Sequence, residues 1–490
     1  MGALTLIRHN AHRVDVDGHA MLMHVPTTSL FELDGVARDV YDLFRSAPAV
    51  DPDLMRARLG RHSPDTLADC LHSFLALDIL RDADAADTPR PITKVEEIPL
   101  STIILNVNTG CNLACTYCYK EDLTTPAKGQ KMGFHTARAS FELLLKQAHA
   151  RDRVNVVFFG GEPLSNMPLI REVVAYALPR AAELSKTVDF SLTTNATLLT
   201  PDLVDWFDAH RFALTVSMDG PKLLHDQNRK TVGGKGTYDL VARNVRMLLA
   251  RYRSRPVGVR VTLTRGVTDV IGIHDHLKND LGFHEVGFGP ATSGPIAVFN
   301  LDQQALQAAF EDMKTLGRRY VEAACRGENI GFSNMHQLLT DIAQGTKKAV
   351  PCGAGLGMLA VDKEGDLHLC HRFVGSNQPT YGNVAQGIDV PGGRRIAPWP
   401  GYSLLLPTLA QAGRDLSKSC ALAARSVRRR EALANTTFLR RIAAMGARDE
   451  PDISGQISGP GGAGATIGRI WQESRRPLSQ TRQKGPGRVR

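Results

Sequence analysis

Three cysteines, Cys111, Cys115 and Cys118, stand in the run Gly110-Cys111-Asn112-Leu113-Ala114-Cys115-Thr116-Tyr117-Cys118-Tyr119. A C-x3-C-x2-C spacing offers three thiolates to one four-iron cluster, one short of the usual four. The iron without a protein thiolate is then open to a substrate or cosubstrate. Zinc is the competing ligand chemistry, but a structural zinc site takes four protein ligands, commonly as two C-x2-C pairs. No partner pair follows at a suitable distance.

Four further stretches carry groups that could serve chemistry. In Gly160-Gly161-Glu162-Pro163 the glycines let a backbone approach a ligand closely, and Glu162 is a carboxylate at a rigid turn that could take a cation. Asn195, Ser217 and Asp219 are short polar side chains suited to ribose hydroxyls and a carboxylate, although such residues also close turns. In His225-Asp226-Gln227-Asn228-Arg229 an acid beside a substrate channel could accept a proton, which makes Asp226 the first general-base candidate and Asp219 the second. A solvated His225-Asp226 pair on a surface loop is the plainer alternative.

The surrounding pattern says what must position these groups. Apolar, β-rich runs at 102–107, 154–159, 187–193, 212–217, 257–263 and 285–289 alternate with amphipathic helical stretches such as 134–149, 237–252 and 270–281. Six βα units in a row predict an α/β fold, a parallel sheet with right-handed crossovers curled into a partial (β/α)6 barrel. In such folds the working loops leave the C-terminal ends of the strands. The cysteine loop follows the first run, Gly160-Gly161 the second, Thr194-Asn195 the third, Ser217-Met218-Asp219-Gly220 the fourth and Thr264-Arg265 the fifth. Five polar exits framing one mouth are the layout of a single active site.

The cysteine run, with aromatic Tyr117 before its last cysteine, resembles the cluster motif of the radical S-adenosylmethionine (SAM) enzymes. That resemblance implies a [4Fe-4S] cluster on Cys111, Cys115 and Cys118, SAM on its open iron, and a 5'-deoxyadenosyl radical from SAM cleavage. Gly160-Gly161-Glu162-Pro163 resembles the family's GGEP motif, whose backbone meets the ammonium end of SAM. By the same resemblance Tyr117, Gly160, Gly161, Glu162, Asn195, Ser217 and Asp219 would surround SAM.

The stretch from His225 to Thr237 is similar to that of peptide-modifying and sulfatase-maturing members. Pro351-Cys352-Gly353 leading to Leu369-Cys370, with a hairpin-like turn at Glu364-Gly365, resembles the start of a SPASM extension. Cys352 and Cys370 would then be two ligands of an auxiliary iron-sulfur cluster. Two thiolates do not complete a four-iron cluster, and only Cys420 follows. With Cys118-Tyr119-Lys120-Glu121-Asp122-Leu123 added, the chain most resembles the maturation enzymes of quinohemoprotein amine dehydrogenase. These implied partners are a ribosomally made peptide with a leader, namely the small subunit of that dehydrogenase, and a one-electron reductant. The implied reaction is a thioether bond from Cys sulfur to an Asp or Glu methylene carbon. Formylglycine formation, a different crosslink, or leader binding without catalysis are the alternatives.

The ends read differently from the middle. Residues 1–85 give short extended stretches, then helical patterns from Leu30 to Phe44 and from Pro64 to Leu80, with Ser63 as N-cap and Pro64 at the first helical position. That order resembles the winged-helix leader-recognition domains of peptide-modifying enzymes. Residues 86–99, with three prolines, read as a linker, 100–325 as the barrel, 326–390 as a truncated SPASM-like region, and 391–490 as an irregular basic tail. The tail holds 18 of the 59 Lys and Arg but 6 of the 50 Asp and Glu, so the preceding residues carry 41 bases against 44 acids. The net charge of +9 therefore belongs to the tail, which lacks the interleaved aromatics of a nucleic-acid surface. Its glycine-rich, Arg-rich composition is the expectation for a disordered segment read in a shifted frame. Eight cysteines with three in ligand spacing, no signal-peptide core and no membrane-length apolar run point to a soluble cytoplasmic protein.

Overall fold

The computed structural model describes residues 2–16, 19–27, 29–85, 100–118, 129–149, 151–291, 299–344, 353–355, 357–376 and 378–389. The expected linker at 86–99, the basic tail and Cys352 lie outside the described residues.

The N-terminal unit builds two small sheets and three helices. β1 (Leu4–Leu6) pairs antiparallel with β5 (Leu80–Asp82), while β2 (Ala11–Val16), β3 (His19–His24) and β4 (Ser29–Glu32) form an antiparallel meander. Leu30 to Glu32 is thus strand, not the start of a helix, because Leu30, Phe31 and Glu32 pair in antiparallel register with Met23, Leu22 and Met21 of β3. The helical period begins only after Asp34, whose carboxylate accepts from the Ala37 N–H and caps α1 (Gly35–Ser46). Asp51 caps α2 (Pro52–Leu59) and Ser63 caps α3 (Pro64–Ala76), each followed by proline at the first helical position, where a missing N–H is no loss. The second helical pattern ends at Ala76, before Ile79 and Leu80. Those two side chains instead join Phe44, Phe74 and Val40 in a core of this unit's own.

From Thr102 the parallel sheet forms as the pattern requires. β6 (Thr102–Asn108), α4 (Phe134–Gln147), β7 (Arg153–Gly160), α5 (Met167–Glu183), β8 (Thr187–Thr194), α6 (Pro201–Ala209) and β9 (Ala213–Ser217) follow in order. Then come α7 (Lys222–Asn228), α8 (Tyr238–Arg251), β10 (Gly258–Leu263), α9 (Val270–Asp275, continued as a π-turn over His276–Asp280) and β11 (Glu285–Pro290). After α10 (Gln303–Cys325) and α11 (Ser333–Gln344), β12 (Met358–Val361) adds parallel to β6, and β13 (Leu367–His368) returns antiparallel. The hairpin turns where expected, with Gly365 at φ 93°, and a last pair, β14 (Gly382–Asn383) and β15 (Gly387–Ile388), follows. The sheet order is β11-β10-β9-β8-β7-β6-β12-β13, six consecutive parallel strands extended at one edge.

Alternation assigns the two faces. Val154, Val156 and Phe158 of β7, Phe190 and Leu192 of β8, and Val259, Val261 and Leu263 of β10 are buried in the core shared with the helices. Phe158, Phe190 and Phe212 stack with centroids 5.4 to 6.1 Å apart. The intervening residues, among them Asn155, Phe159, Ser191, Thr193, Thr215, Ser217 and Thr262, are only half-buried and line the concave side. Among the described residues no helix is long and apolar enough to cross a membrane.

Candidate active site

The cysteine loop leaves β6 and is held from three directions. Beneath it, β6 shifts register at Asn108, whose side-chain amide donates to Gly110 O (2.9 Å) and to Ser165 Oγ (2.5 Å). The Gly161 N–H donates to Asn108 O (2.7 Å) and the Glu162 N–H to Gly110 O (3.1 Å). Gly160 sits at φ 149°, and a Cβ on Gly161 would lie 1.9 Å from Gly110 O. The two glycines therefore bring the β7 loop against the cysteine loop's own backbone, whereas the sequence suggested close approach to a ligand.

Glu162 is buried and braces the next loop. Its carboxylate accepts from the Leu164 N–H (3.1 Å), Thr194 Oγ1 (2.7 Å) and the Asn195 N–H (2.8 Å), tying the end of β7 to the end of β8. Burial pushes its pKa up to about 7 against those three donors, which pull it down. The folded carboxyl holds its proton to a higher pH than its ordinary 4.5, so the folded state binds more protons between pH 4.5 and 7. Stability from this position must fall as pH rises through that window and then level off. In urea unfolding of the apoprotein at pH 5 and 7.5, wild type should lose more stability than Glu162→Gln. Parallel losses would refute it.

The second contact comes from the β8 loop. Asn195 Nδ2 donates to Asn112 Oδ1 (3.0 Å) and lies 3.7 Å from Cys111 Sγ, while Asn112 Nδ2 donates to Thr197 Oγ1 (2.7 Å). The third comes from the segment after α7. Ala114 N–H donates to Lys230 O (2.8 Å), Thr116 N–H to Asn228 O (3.1 Å) and Thr116 Oγ1 to Asn228 Oδ1 (2.6 Å). Asn228 Nδ2 in turn donates to Thr264 Oγ1 (3.0 Å), at the exit of β10.

Tyr117 reaches across the mouth to Asp219. Its hydroxyl donates to Asp219 Oδ2 (2.7 Å), Arg229 Nε donates to the same oxygen (2.8 Å), and the Thr262 N–H donates to Oδ1 (3.0 Å). Asp219 is wholly buried and Arg229 nearly so. Burial alone would lower the Arg229 pKa, but Asp219, with Tyr117 and Cys115, outweighs it and raises it. The guanidinium also lies 5.5 Å from the Tyr117 ring centroid. Asp219 is thus an anchor in a buried ion pair, an arrangement that does not suit a general base. Arg229 carried no role in the sequence reading; only the fold reveals that ten residues of separation close on one carboxylate.

His225 is fully buried beneath this pair, accepting from the Asp219 N–H (3.4 Å) and contacting Thr237 Oγ1 (3.0 Å). Burial and Arg229 lower its pKa to about 4, so the ring is neutral. Asp226 accepts through one oxygen from the Thr237 and Tyr238 N–H groups (2.8 and 2.9 Å) at the start of α8. That geometry is a helix cap and overturns the picture of a solvated His-Asp pair. Asp226→Ala should cost about 1 kcal/mol of stability, and Asp226→Asn much less. Equal stability losses in thermal unfolding would remove the cap role. Ser217 stands half-buried at the end of β9, opposite Arg260 in register. Cys370 is half-buried just after β13.

The sequence comparisons decide what kind of domain this is. A family model for the radical SAM superfamily matches residues 105–272. The chain carries a radical SAM domain. It is 29% identical over 157 residues to a cysteine-type anaerobic sulfatase-maturating enzyme of Clostridium novyi, covering 31% of this chain and 41% of that protein. It is equally identical over 165 residues to a serine-type enzyme of Bacteroides thetaiotaomicron, covering 33% and 39%. The chain thus matches about two fifths of the length of these curated relatives. A solved structure described as anSMEcpe with bound AdoMet superposes with a TM-score of 0.50 at 21% identity, over 59% of this chain and 79% of that one, which shows a shared fold.

Radical SAM domains work with a [4Fe-4S] cluster and SAM, and the donor set here fits the cluster. Burial raises the Cys111 thiol, helped by Glu162 and Cys118, and pushes Cys115 up to about 12, where Cys118 and Cys111 add to the effect. Thiols held that high surrender their protons to a cationic group placed among them. Among the described residues no three His, Cys, Asp or Glu side chains are arranged to hold a metal ion.

Proposed function

We propose that the protein is a radical SAM maturase acting on a ribosomally made peptide, of the anaerobic sulfatase-maturating or peptide-modifying type. Its finer reading is formation of thioether bonds from Cys sulfur to Asp or Glu methylene carbons in the small subunit of quinohemoprotein amine dehydrogenase. The observation that carries the enzymatic reading is the three-sided clamp on the cysteine loop at the mouth of a hollow parallel sheet. When bound, the cluster and SAM supply a 5'-deoxyadenosyl radical able to abstract hydrogen from carbon. Cys111, Cys115 and Cys118 hold the cluster. Asn195 and Ser217, at adjoining strand ends, offer hydrogen bonds to SAM, and Tyr117, Gly160, Gly161, Glu162 and Asp219 support that seat through the loop contacts.

Cys352 and Cys370 remain the proposed start of an auxiliary cluster site. The N-terminal unit, with its open antiparallel meander, is the proposed reader of an extended leader by strand addition. The finer substrate rests on the motif resemblance around Cys118 and on that N-terminal unit.

The decisive experiment reduces the anaerobically reconstituted protein with a one-electron donor in the presence of SAM and the small subunit of a quinohemoprotein amine dehydrogenase. It should release 5'-deoxyadenosine, and mass spectrometry should show loss of two hydrogens per crosslinked Cys. Formation of 5'-deoxyadenosine with a formylglycine mass change would replace the thioether reading. Peptide binding without 5'-deoxyadenosine would leave a leader-binding protein.

A further inference from the structure

His368 lies on the concave face at the edge of the sheet, in register with Ala360 of β12, Ile104 of β6 and Val157 of β7. Leu367 before it joins the core on the opposite face. His368, Ala360 and Ile104 are nevertheless buried. The turn His371–Phe373 packs on β12 and folds back over this edge, setting the His371 ring against Phe159 of β7 with centroids 4.1 Å apart.

The hairpin turn holds one side of the His368 ring. Nε2 lies 2.9 Å from Asp362 Oδ2, and Oδ1 of that carboxylate accepts from the Glu364 and Asp366 N–H groups (3.0 and 2.9 Å). A carboxylate only accepts, so Nε2 carries the proton and Nδ1 presents its lone pair. Nδ1 is buried, and no protein group among the described residues donates to it. A buried acceptor of this kind calls for a partner. An imidazole whose one nitrogen donates to a carboxylate, with the other left bare, is the arrangement in which histidine holds a metal, since the carboxylate fixes the tautomer and strengthens the donor. Cys370 follows two residues on, in extended backbone at φ −156° and ψ 173°. Two residues span at most about 7 Å of chain, and the separation is shorter than in the C-x2-C pairs that ligate one cluster.

We propose that His368, through Nδ1, ligates one iron of the auxiliary iron-sulfur cluster that Cys370 begins. The inference rests on the auxiliary-site reading given above and changes its ligand set. Cys352 and Cys370 supply two thiolates, and His368 adds a third donor of a different kind. Imidazole takes the place of thiolate on iron in Rieske centres, so the donor is chemically competent.

The test uses the full chain with Cys111, Cys115 and Cys118 all changed to Ala, reconstituted anaerobically with iron and sulfide, so that only an auxiliary cluster remains. Reduced with dithionite in the absence of SAM, it should give a cluster EPR signal whose pulsed spectrum carries a nitrogen coupling that changes when the histidines are labelled with nitrogen-15. His368→Ala in that background should abolish the coupling and lower iron retention about tenfold. His368→Cys should restore iron without the coupling. A buried water on Nδ1 predicts instead a cluster signal with no histidine coupling and iron unchanged by His368→Ala. That result overturns the proposal and leaves the auxiliary site to other ligands. Failure of the triple variant to hold any cluster, while folded by thermal unfolding, overturns the auxiliary-site reading and the proposal with it. In the chain with all three cysteines the same histidine-label shift should appear and vanish in His368→Ala, which decides the matter if the triple variant does not fold.

Discussion

Gly161→Ala is expected to abolish cluster retention and SAM cleavage while leaving all three cysteines in place. The added methyl would meet Gly110 O at 1.9 Å and Cys111 N at 2.8 Å, both backbone atoms with no rotamer by which to yield. The β7 loop or the cysteine loop must move, breaking the bonds from Gly161 N–H to Asn108 O and from Glu162 N–H to Gly110 O. Overpacking of this kind costs about 1–3 kcal/mol, and displacing a reacting centre by about 1 Å costs roughly 100-fold in rate. Iron per chain after desalting and 5'-deoxyadenosine formation should both collapse. The N-terminal unit, with its own core, should keep its fold. Wild-type iron content and turnover in the variant would show that the close approach has no bearing on the cluster.

Arg229→Met is expected to be the most destabilising single change at the site. It leaves Asp219 buried and charged with only Tyr117 and a backbone N–H as partners, and removing one member of a buried pair costs about 3–5 kcal/mol. Asp219→Asn should also destabilise, since it leaves the buried Arg229 guanidinium without its carboxylate although the amide oxygen can still accept from the Thr262 N–H. The pair also links Tyr117 in the cysteine loop to Thr262 on β10, so the variant should lower iron retention as well as stability. A double-mutant cycle in urea unfolding with Arg229→Met and Asp219→Leu gives the coupling. Additive losses, with no interaction energy, would show that the ion pair contributes nothing as a unit.

Much of the architecture was legible because it repeats. The six parallel strands fall on the six apolar runs within a residue or two at each end, and each polar motif leaves the C-terminal end of its strand. The first N-terminal helix was misplaced at Leu30 because a four-residue strand and a helix share one apolar run there; only pairing with β3 separates them. Within the site, the cysteines, Gly160-Gly161 and Glu162 stood out by type and spacing. Asn228 and Arg229 did not, since their partners are Thr116 and Asp219, contacts between separate loops.

By itself, the sequence determined the chemistry on offer: three thiols at cluster spacing, a run of βα units to carry them and five polar loops at one end. Local period and short-range spacing encode those features, so they survive without coordinates. The tertiary structure decided how the groups divide their labour. It made Glu162 and Asp219 the braces of the loops and turned Asp226 into a helix cap. These assignments depend on which hydrogen-bond partner lies opposite each side chain, and distant strands bring those partners into place only when the sheet forms.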